Sequence, residues 1–197
     1  MPDGTPSILE PLAAQLGPAA WSEPTERYTM DWSTKFSGSC AGVAKPSTVE
    51  EVAAVVKYCN EHGIGIVPQG GHTGLCGGAT PWPNSQTVVL SLERMNRVRN
   101  IDTEGMTMTV EAGVILQNVQ GAAKEAGCFF PLSLGDRRQY LHQCGLSTNA
   151  GGVNVLKFGN TRDQVLGLEV VLADGEIYRG LKRLKKDNSG YDLKHYF

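Results

Sequence analysis

The stretch IVPQGGHTGLCGGAT sets Gly70, Gly71, Gly74, Gly77 and Gly78 around one histidine, His72, directly after an apolar run. Glycine loses more conformational freedom on folding than any other residue. A cluster of it therefore marks a backbone that must turn sharply or be approached closely. With no Cβ in the way, several main-chain N–H groups can converge on one anion, and phosphate or pyrophosphate is the usual occupant. The alternative is a glycine-rich turn with no ligand. Two common phosphate formats are excluded. There is no G-x-x-x-x-G-K-[ST], and Gly77 and Gly78 lead into Ala79-Thr80-Pro81, which does not open a helix as a G-x-G-x-x-G loop requires.

The flanking sequence predicts what carries this loop. GVAKP (42–46) reads as a short strand. STVEEVAAVVKYCNEHG (47–63) reads as a helix, with Ser47 and Thr48 as cap candidates, Glu50 and Glu51 in its first turn, and Val49, Val52, Val55, Val56 and Cys59 on one face. IGIVP (64–68) is a second strand entering the loop, and a strand–helix–strand of this length implies parallel pairing. TVVLSL (87–92) and MTMTVEAG (106–113) read as further strands, and LQNVQGAAKEAG (116–127) as a helix. LGLEVVLADGEIYRG (166–180) reads as a hairpin around Asp174-Gly175, a type I′ turn signal. Ahead of these, SILEPLAAQLG (7–17) has helical spacing that starts at Ser7 and stops at Gly17, while SEPTERYTMDWSTKFSG (22–38) is polar, turn-rich and expected to be extended loop.

A chain of 197 residues with 41% hydrophobic and 19% charged residues is long enough for one domain or two small lobes. Its net charge of −2 and lack of a long basic run argue against a nucleic-acid partner. The densest basic cluster, GLKRLKKDNSGYDLK (180–194), reads as a solvated face. Five cysteines without a C-x-x-C pair suit a reducing compartment and argue against a closed zinc site. No segment is apolar enough to span a membrane and none reads as a signal peptide, so the expected location is cytoplasmic. A second run of small residues, STNAGG (147–152), again sits near a hydrophobic strand. Two such loops suggest one extended ligand lying between lobes.

KPSTVEEVAAVV, VPQGGHTGLCGG, LSLERMNRV, TVEAGV, FPLSLG, LSTNAGG, GNTRDQVLGLEVVLADG and KDNSGYDLK occur here in order. Together they resemble the FAD-binding (PCMH-type) domain of the vanillyl-alcohol-oxidase class. More narrowly, they resemble the D-2-hydroxyglutarate/D-lactate dehydrogenase and glycolate oxidase subunit group, from about residue 35 to the end. The resemblance implies an α+β, two-lobed domain after an N-terminal segment (1–35). Lobe one (about 36–95) is a small βαβ parallel sheet, and lobe two (about 96–197) is a mainly antiparallel sheet with helices. The implied cofactor is FAD, with hydride passing from the α-carbon of a small 2-hydroxy acid to flavin N5.

Carried over by position, Pro68, Gln69, Gly70, Gly71, His72, Thr73, Gly74, Gly77 and Gly78 match the loop that holds the FAD pyrophosphate. Ser147, Thr148, Asn149, Ala150, Gly151 and Gly152 match the segment along the flavin ring and ribityl chain. Glu169, Val170 and Val171 match a strand beside the cofactor, and Leu132 and Ser133 a loop near the isoalloxazine. Relatives more often carry Asn where His72 stands. The histidine either replaces that amide as a hydrogen-bonding group or, as in some flavin oxidases of the wider class, links covalently to the flavin. His62 reads as a helix-end residue. The metal-binding histidines of the 2-hydroxyacid dehydrogenases have no counterpart here, so no metal is expected. No catalytic base is identified; Lys186, Asn188 and Tyr191 are near-site candidates only.

Two departures stand out. Where the family has a Gly- and Ser-rich run of the type GSCTIGGN, this chain reads DRRQYLHQCG (136–145), with Arg137, Arg138, Tyr140 and His142 in place of small residues. Two compensating reading-frame slips would leave both flanks in register in this way. A diverged loop with arginines facing the phosphates is the competing account, and the nucleotide sequence separates them. The chain also stops at KDNSGYDLKHYF, where the family continues into a substrate-binding domain. The expectation is therefore a cofactor half that needs that domain for turnover. A flavin-binding remnant without turnover, or a nucleotide- or phosphate-binding module of another class, are the rival readings.

Overall fold

Every residue of the run Val88–Ser91 is buried, and its place in the sheet explains why. The computed structural model describes residues 7–133 and 142–197. These divide into two compact units. The first runs to Met95 and takes in Val171–Glu176; the second comprises the described residues of Asn96–Val170 and Ile177–Phe197.

In the first unit a 3₁₀ turn (Ser7–Leu9) leads into α1 (Glu10–Leu16), followed by β1 (Trp21–Ser22), α2 (Glu26–Thr29), β2 (Gly42–Ala44), α3 (Val49–Glu61), β3 (Ile66–Gln69) and β4 (Val88–Ser91). The sheet order is β1-β2-β4-β3. β2 and β3 both run parallel to β4, with Val43 and Val67 opposite Val89, while β1 is antiparallel to β2. The later strand β4 is thus inserted between the two strands that α3 connects. Its side chains alternate across the sheet. Val88 and Leu90 pack with Leu9, Leu12, Val52, Val55 and Cys59 on one face, and Val89 packs with Tyr28, Cys40 and Val43 on the other. A strand covered on both faces reads as an unbroken apolar run.

α3 forms where its pattern predicts. Val52, Val55 and Cys59 are its buried residues, and Thr48 caps its start by accepting a hydrogen bond from the Glu51 N–H at 3.1 Å. The Glu51 carboxylate reaches back to the Ser47 N–H at 2.7 Å, so two donors at the helix entrance are satisfied reciprocally. Thr48→Ala is expected to cost about 1 kcal/mol, read as a lower urea midpoint with an unchanged m-value.

The segment 22–38 is a correction to the extended loop expected from its composition. It contains α2, an isolated bridge between Met30 and Ser37, and a turn built on the Asp31 carboxylate. That carboxylate accepts from Ser33 Oγ (2.7 Å) and from the Lys35 and Phe36 N–H groups (3.1 Å each). Tyr28 is buried beneath the sheet, and a single helical turn with one buried side chain leaves no periodicity to detect.

The second unit contains β5 (Val98–Asp102), β6 (Thr107–Val110), α4 (Leu116–Glu125), α5 (His142–Ser147), α6 (Val155–Phe158), β7 (Leu168–Val171, except Val171 itself, which belongs to the first unit) and β8 (Ile177–Gly180), with 3₁₀ turns at Thr161–Gln164 and Leu193–His195. β5 and β6 pair antiparallel with an irregularity between Val98 and Asn100, and β7 pairs with β8. The β7–β8 turn differs from the type I′ expectation. Gly175 has φ +87°, but Asp174 is not left-handed. The Gly175 N–H bonds to the Leu172 carbonyl (2.9 Å) and the Leu172 N–H to the Glu176 carbonyl (2.8 Å). This is a type I turn followed by a left-handed glycine, the longer hairpin connection.

Glu111 anchors the entry to this unit. Its carboxylate is buried and accepts from the Arg97 N–H (2.8 Å), Arg97 Nε (3.0 Å) and Nη2 (2.8 Å), and Arg99 Nε (3.3 Å). Burial alone would push its pKa up. The Arg97 side-chain and backbone hydrogen bonds, with Arg99, outweigh that and hold it below the usual glutamate value.

Candidate functional site

In the first unit the polypeptide leaves β3 at Gln69 and runs through the glycine loop to Pro81 without forming a helix. Gln69 itself is buried. Its Nε2 donates to the Tyr28 carbonyl (2.6 Å) and to the Ala79 carbonyl (2.7 Å), drawing the two ends of the loop together. The side chain thus serves the loop from beneath. His72 is left-handed at φ +53°, a conformation that costs a non-glycine residue about 1–2 kcal/mol. Its ring spans the loop, with Nδ1 3.1 Å from the Arg27 carbonyl and Nε2 3.2 Å from Thr80 Oγ1. With the proton on Nδ1, the ring donates to Arg27 and accepts from Thr80, which satisfies both nitrogens.

What the loop offers to a ligand is main chain. Among the described residues, the N–H groups from Thr73 to Gly78 donate no internal hydrogen bond. A Cβ built at Gly74 or Gly78 would meet nothing within 4 Å. Solvent-facing donors with no protein acceptor, beside open space, suit the diphosphate of a dinucleotide.

In the second unit, Ser147 ends α5, and Thr148, Asn149, Ala150, Gly151 and Gly152 follow it as a tight turn. Asn149 is left-handed (φ +49°) and Gly152 has φ +111°. The turn is clasped by residues that sequence reasoning missed. Buried Thr161 donates its hydroxyl to the Ala150 carbonyl at 2.6 Å, and the Arg162 N–H bonds to Asn149 Oδ1 at 3.2 Å. The Arg162 guanidinium reaches the Leu146 (3.4 Å) and Ser147 (3.3 Å) carbonyls at the end of α5. The signal was present in GNTRDQ, where Asn160 and Asp163 form a capping box. Ser133 joins the turn by accepting from the Val153 N–H at 3.3 Å. The Gly151 and Gly152 N–H groups, like those of the glycine loop, donate no internal bond among the described residues.

Other anticipated residues are occupied structurally. The Leu132 side chain is buried, and its carbonyl accepts from Gln120 Nε2 at 2.6 Å. Glu169 accepts from Arg99 (3.1 Å) and Arg179 (2.7 Å). Val170 is half-buried, and Val171 packs against the core of the first unit. Tyr191 is exposed, as are Lys186 and Asn188. His62 ends α3, its ring stacked on Tyr58 with centroids 4.1 Å apart. Of the divergent stretch 136–145, residues 136–141, including Arg137, Arg138 and Tyr140, lie outside the described residues, as does the His142 side chain.

The family model for the FAD binding domain matches residues 40–180. The chain belongs to that family. FAD is the cofactor of such a domain, and the free main-chain donors and open glycines of the loop fit it. Among curated relatives, a probable mitochondrial D-2-hydroxyglutarate dehydrogenase of Oryza sativa subsp. indica is 41% identical over 168 residues, covering 85% of this chain and 30% of that protein. The D-2-hydroxyglutarate dehydrogenase of Xanthomonas citri pv. viticola is 41% identical over 170 residues, covering 86% of this chain and 36% of its own length. This FAD binding domain therefore spans about a third of the curated relatives it matches. Among solved structures, an alkyldihydroxyacetonephosphate synthase superposes with TM-score 0.82 at 20% identity, over 99% of this chain and 36% of its own. The 6-hydroxy-D-nicotine oxidase of Arthrobacter nicotinovorans superposes with TM-score 0.69 at 25% identity, over 83% and 36%. The α+β architecture expected from the sequence is thus the one found.

Proposed function

We propose that this FAD binding domain is the cofactor half of a flavin-dependent dehydrogenase of D-2-hydroxy acids, of the D-2-hydroxyglutarate or D-lactate type. The observation that carries the reading is the run of N–H groups from Thr73 to Gly78 that donate no internal hydrogen bond, with open space at Gly74 and Gly78, in a chain 41% identical to proteins named for that activity. The loop takes the diphosphate through its main chain, where a charge-assisted bond to each donor is stronger than a neutral one. Gln69 and His72 hold the loop's shape from its flanks. Within the second unit, the Gly151 and Gly152 N–H groups are likewise free donors, in a turn held by Thr161 and Arg162. When bound, FAD supplies the hydride acceptor for the substrate α-carbon.

Both His72 nitrogens have partners within the first unit, which favours the hydrogen-bonding role over a covalent link to the flavin. The compartment we infer is a reducing one. Cys40 and Cys59 are buried and free, and burial pushes the Cys59 thiol up to about 11. The cytoplasm suits this, as does the interior of an organelle, and several relatives are named as mitochondrial.

The test is the visible spectrum of the 197-residue chain after incubation with FAD and desalting. A retained flavin band is expected, and acid precipitation should leave all the yellow in the supernatant. A colourless protein would refute FAD binding, and yellow in the pellet would overturn the hydrogen-bonding role of His72. Reduction of an artificial electron acceptor by D-2-hydroxyglutarate or D-lactate then separates a working dehydrogenase from a flavin-binding module without turnover.

A further inference from the structure

The glycine loop is lined along one side by a segment that precedes the family match. Residues 26–39 touch it at successive points. The Arg27 carbonyl accepts from His72 (3.1 Å), and the Tyr28 carbonyl accepts from Gln69 (2.6 Å). The Phe36 ring lies against Gly77, where a Cβ would come within 2.8 Å of it. Gly38 passes so close to the Pro81 carbonyl that any side chain there would collide with it. The Ser39 N–H donates to the Trp82 carbonyl at 3.3 Å.

The segment is itself braced. Arg27 pairs with Glu93 at 2.6 Å, and Tyr28 donates its hydroxyl to the same carboxylate at 2.9 Å. The Asp31 turn fixes the backbone at Phe36, and the Met30–Ser37 bridge closes the hairpin behind it. The loop, by contrast, has almost no internal bonding of its own from Thr73 to Gly78. A loop with so few hydrogen bonds of its own and two left-handed residues, His72 and Gly77, keeps one shape only if its surroundings impose it.

We propose that residues 26–39 form a wall that sets the glycine loop in its ligand-competent shape before any ligand arrives, with Phe36 and the Gln69 amide as positioning residues. The gain to FAD affinity rests on the functional reading above; the ordering of the empty loop does not. If losing the Phe36 ring lowers the competent population of the loop to about a tenth, the FAD dissociation constant rises about tenfold.

The test uses the full chain with four substitutions: Phe36→Ala, Phe36→Tyr, Gln69→Leu and, as a control for stability alone, Val55→Ala, which opens the core remote from the loop. Two quantities are measured: ¹⁵N order parameters of Gly74, Gly77 and Gly78 without ligand, and the dissociation constant for FAD. The expected wild-type order parameters are near the rigid value of about 0.85, falling toward about 0.6 in Phe36→Ala and Gln69→Leu. FAD affinity should fall in the same two variants. Phe36→Tyr should restore both quantities, and Val55→Ala should lower the melting temperature with neither changed. Loop order unaltered in Phe36→Ala, or lost equally in Val55→Ala, would overturn the wall. A rigid wild-type loop that binds no FAD would instead sink the functional reading, while the order parameters still decide the wall.

Discussion

Gly78→Val is expected to weaken FAD binding by about 10²- to 10⁴-fold while leaving the stability of the free chain within about 0.5 kcal/mol. The two expectations come from one geometric fact. A Cβ at Gly78 meets nothing within 4 Å, and the residue is not left-handed, so the ligand-free fold has no reason to resist a side chain. The same open space is what a diphosphate would occupy against the N–H groups from Thr73 to Gly78. A branched side chain there keeps the anion off those donors. Charge-assisted hydrogen bonds contribute about 1.5–3 kcal/mol each, and blocking two gives the stated range. Gly74→Val should behave the same way. Gly77→Ala is a useful contrast: its φ of +69° and the Phe36 ring both oppose a side chain, so it should lose stability as well as affinity. Isothermal titration with FAD and thermal melts of the free proteins read both quantities. Full affinity in Gly78→Val would remove the loop from the cofactor site.

Legibility of the sequence followed the range over which each signal acts. The loop was legible because five glycines after an apolar strand have few other uses. α3 was legible because a cap, an acidic first turn and an apolar face agreed with one another. Parallel pairing followed from the length of the crossover, but the insertion of β4 between β2 and β3 did not. Strand order depends on which faces are covered, and half of that cover is Tyr28 on a one-turn helix. The β5 strand VRNID was missed because its apolar residues, Val98 and Ile101, are three apart and show no two-residue alternation. In the fold, Arg97 and Arg99 turn toward a buried carboxylate contributed by Glu111, twelve to fourteen residues later. In the candidate site, the two small-residue loops were legible as loops, whereas the groups that hold them (Thr161, Arg162, the Arg27 and Tyr28 carbonyls) were not. A backbone carbonyl has no sequence signature, and a threonine that donates to one looks like any other threonine. Gln69 was named for the ligand, yet its amide works behind the loop, a role visible only once Tyr28 is placed.

Glu111→Ala is expected to cost on the order of 3 kcal/mol, a large share of the roughly 5–15 kcal/mol that holds a domain together. Removing one partner of a buried ion pair is damaging because the other is left uncompensated. Here the value sits at the lower end of the usual range because the Arg97 side chain is 70% exposed and can turn to water. The Arg97 N–H has no such freedom, since the same carboxylate is its acceptor at 2.8 Å. The effect should be pH-dependent in a defined direction. The folded pKa of Glu111 lies below its ordinary value of 4.5 because the arginine hydrogen bonds outweigh the burial that would raise it. The stability it contributes is therefore fully present above that value. It declines as the pH falls through the window between 4.5 and the lowered folded pKa, and is gone beneath it. Urea midpoints of wild type and Glu111→Gln should differ most near neutral pH and converge in acid. A difference that persists at the same size below that window would mean that the glutamine variant is destabilised by shape, not by the loss of charge.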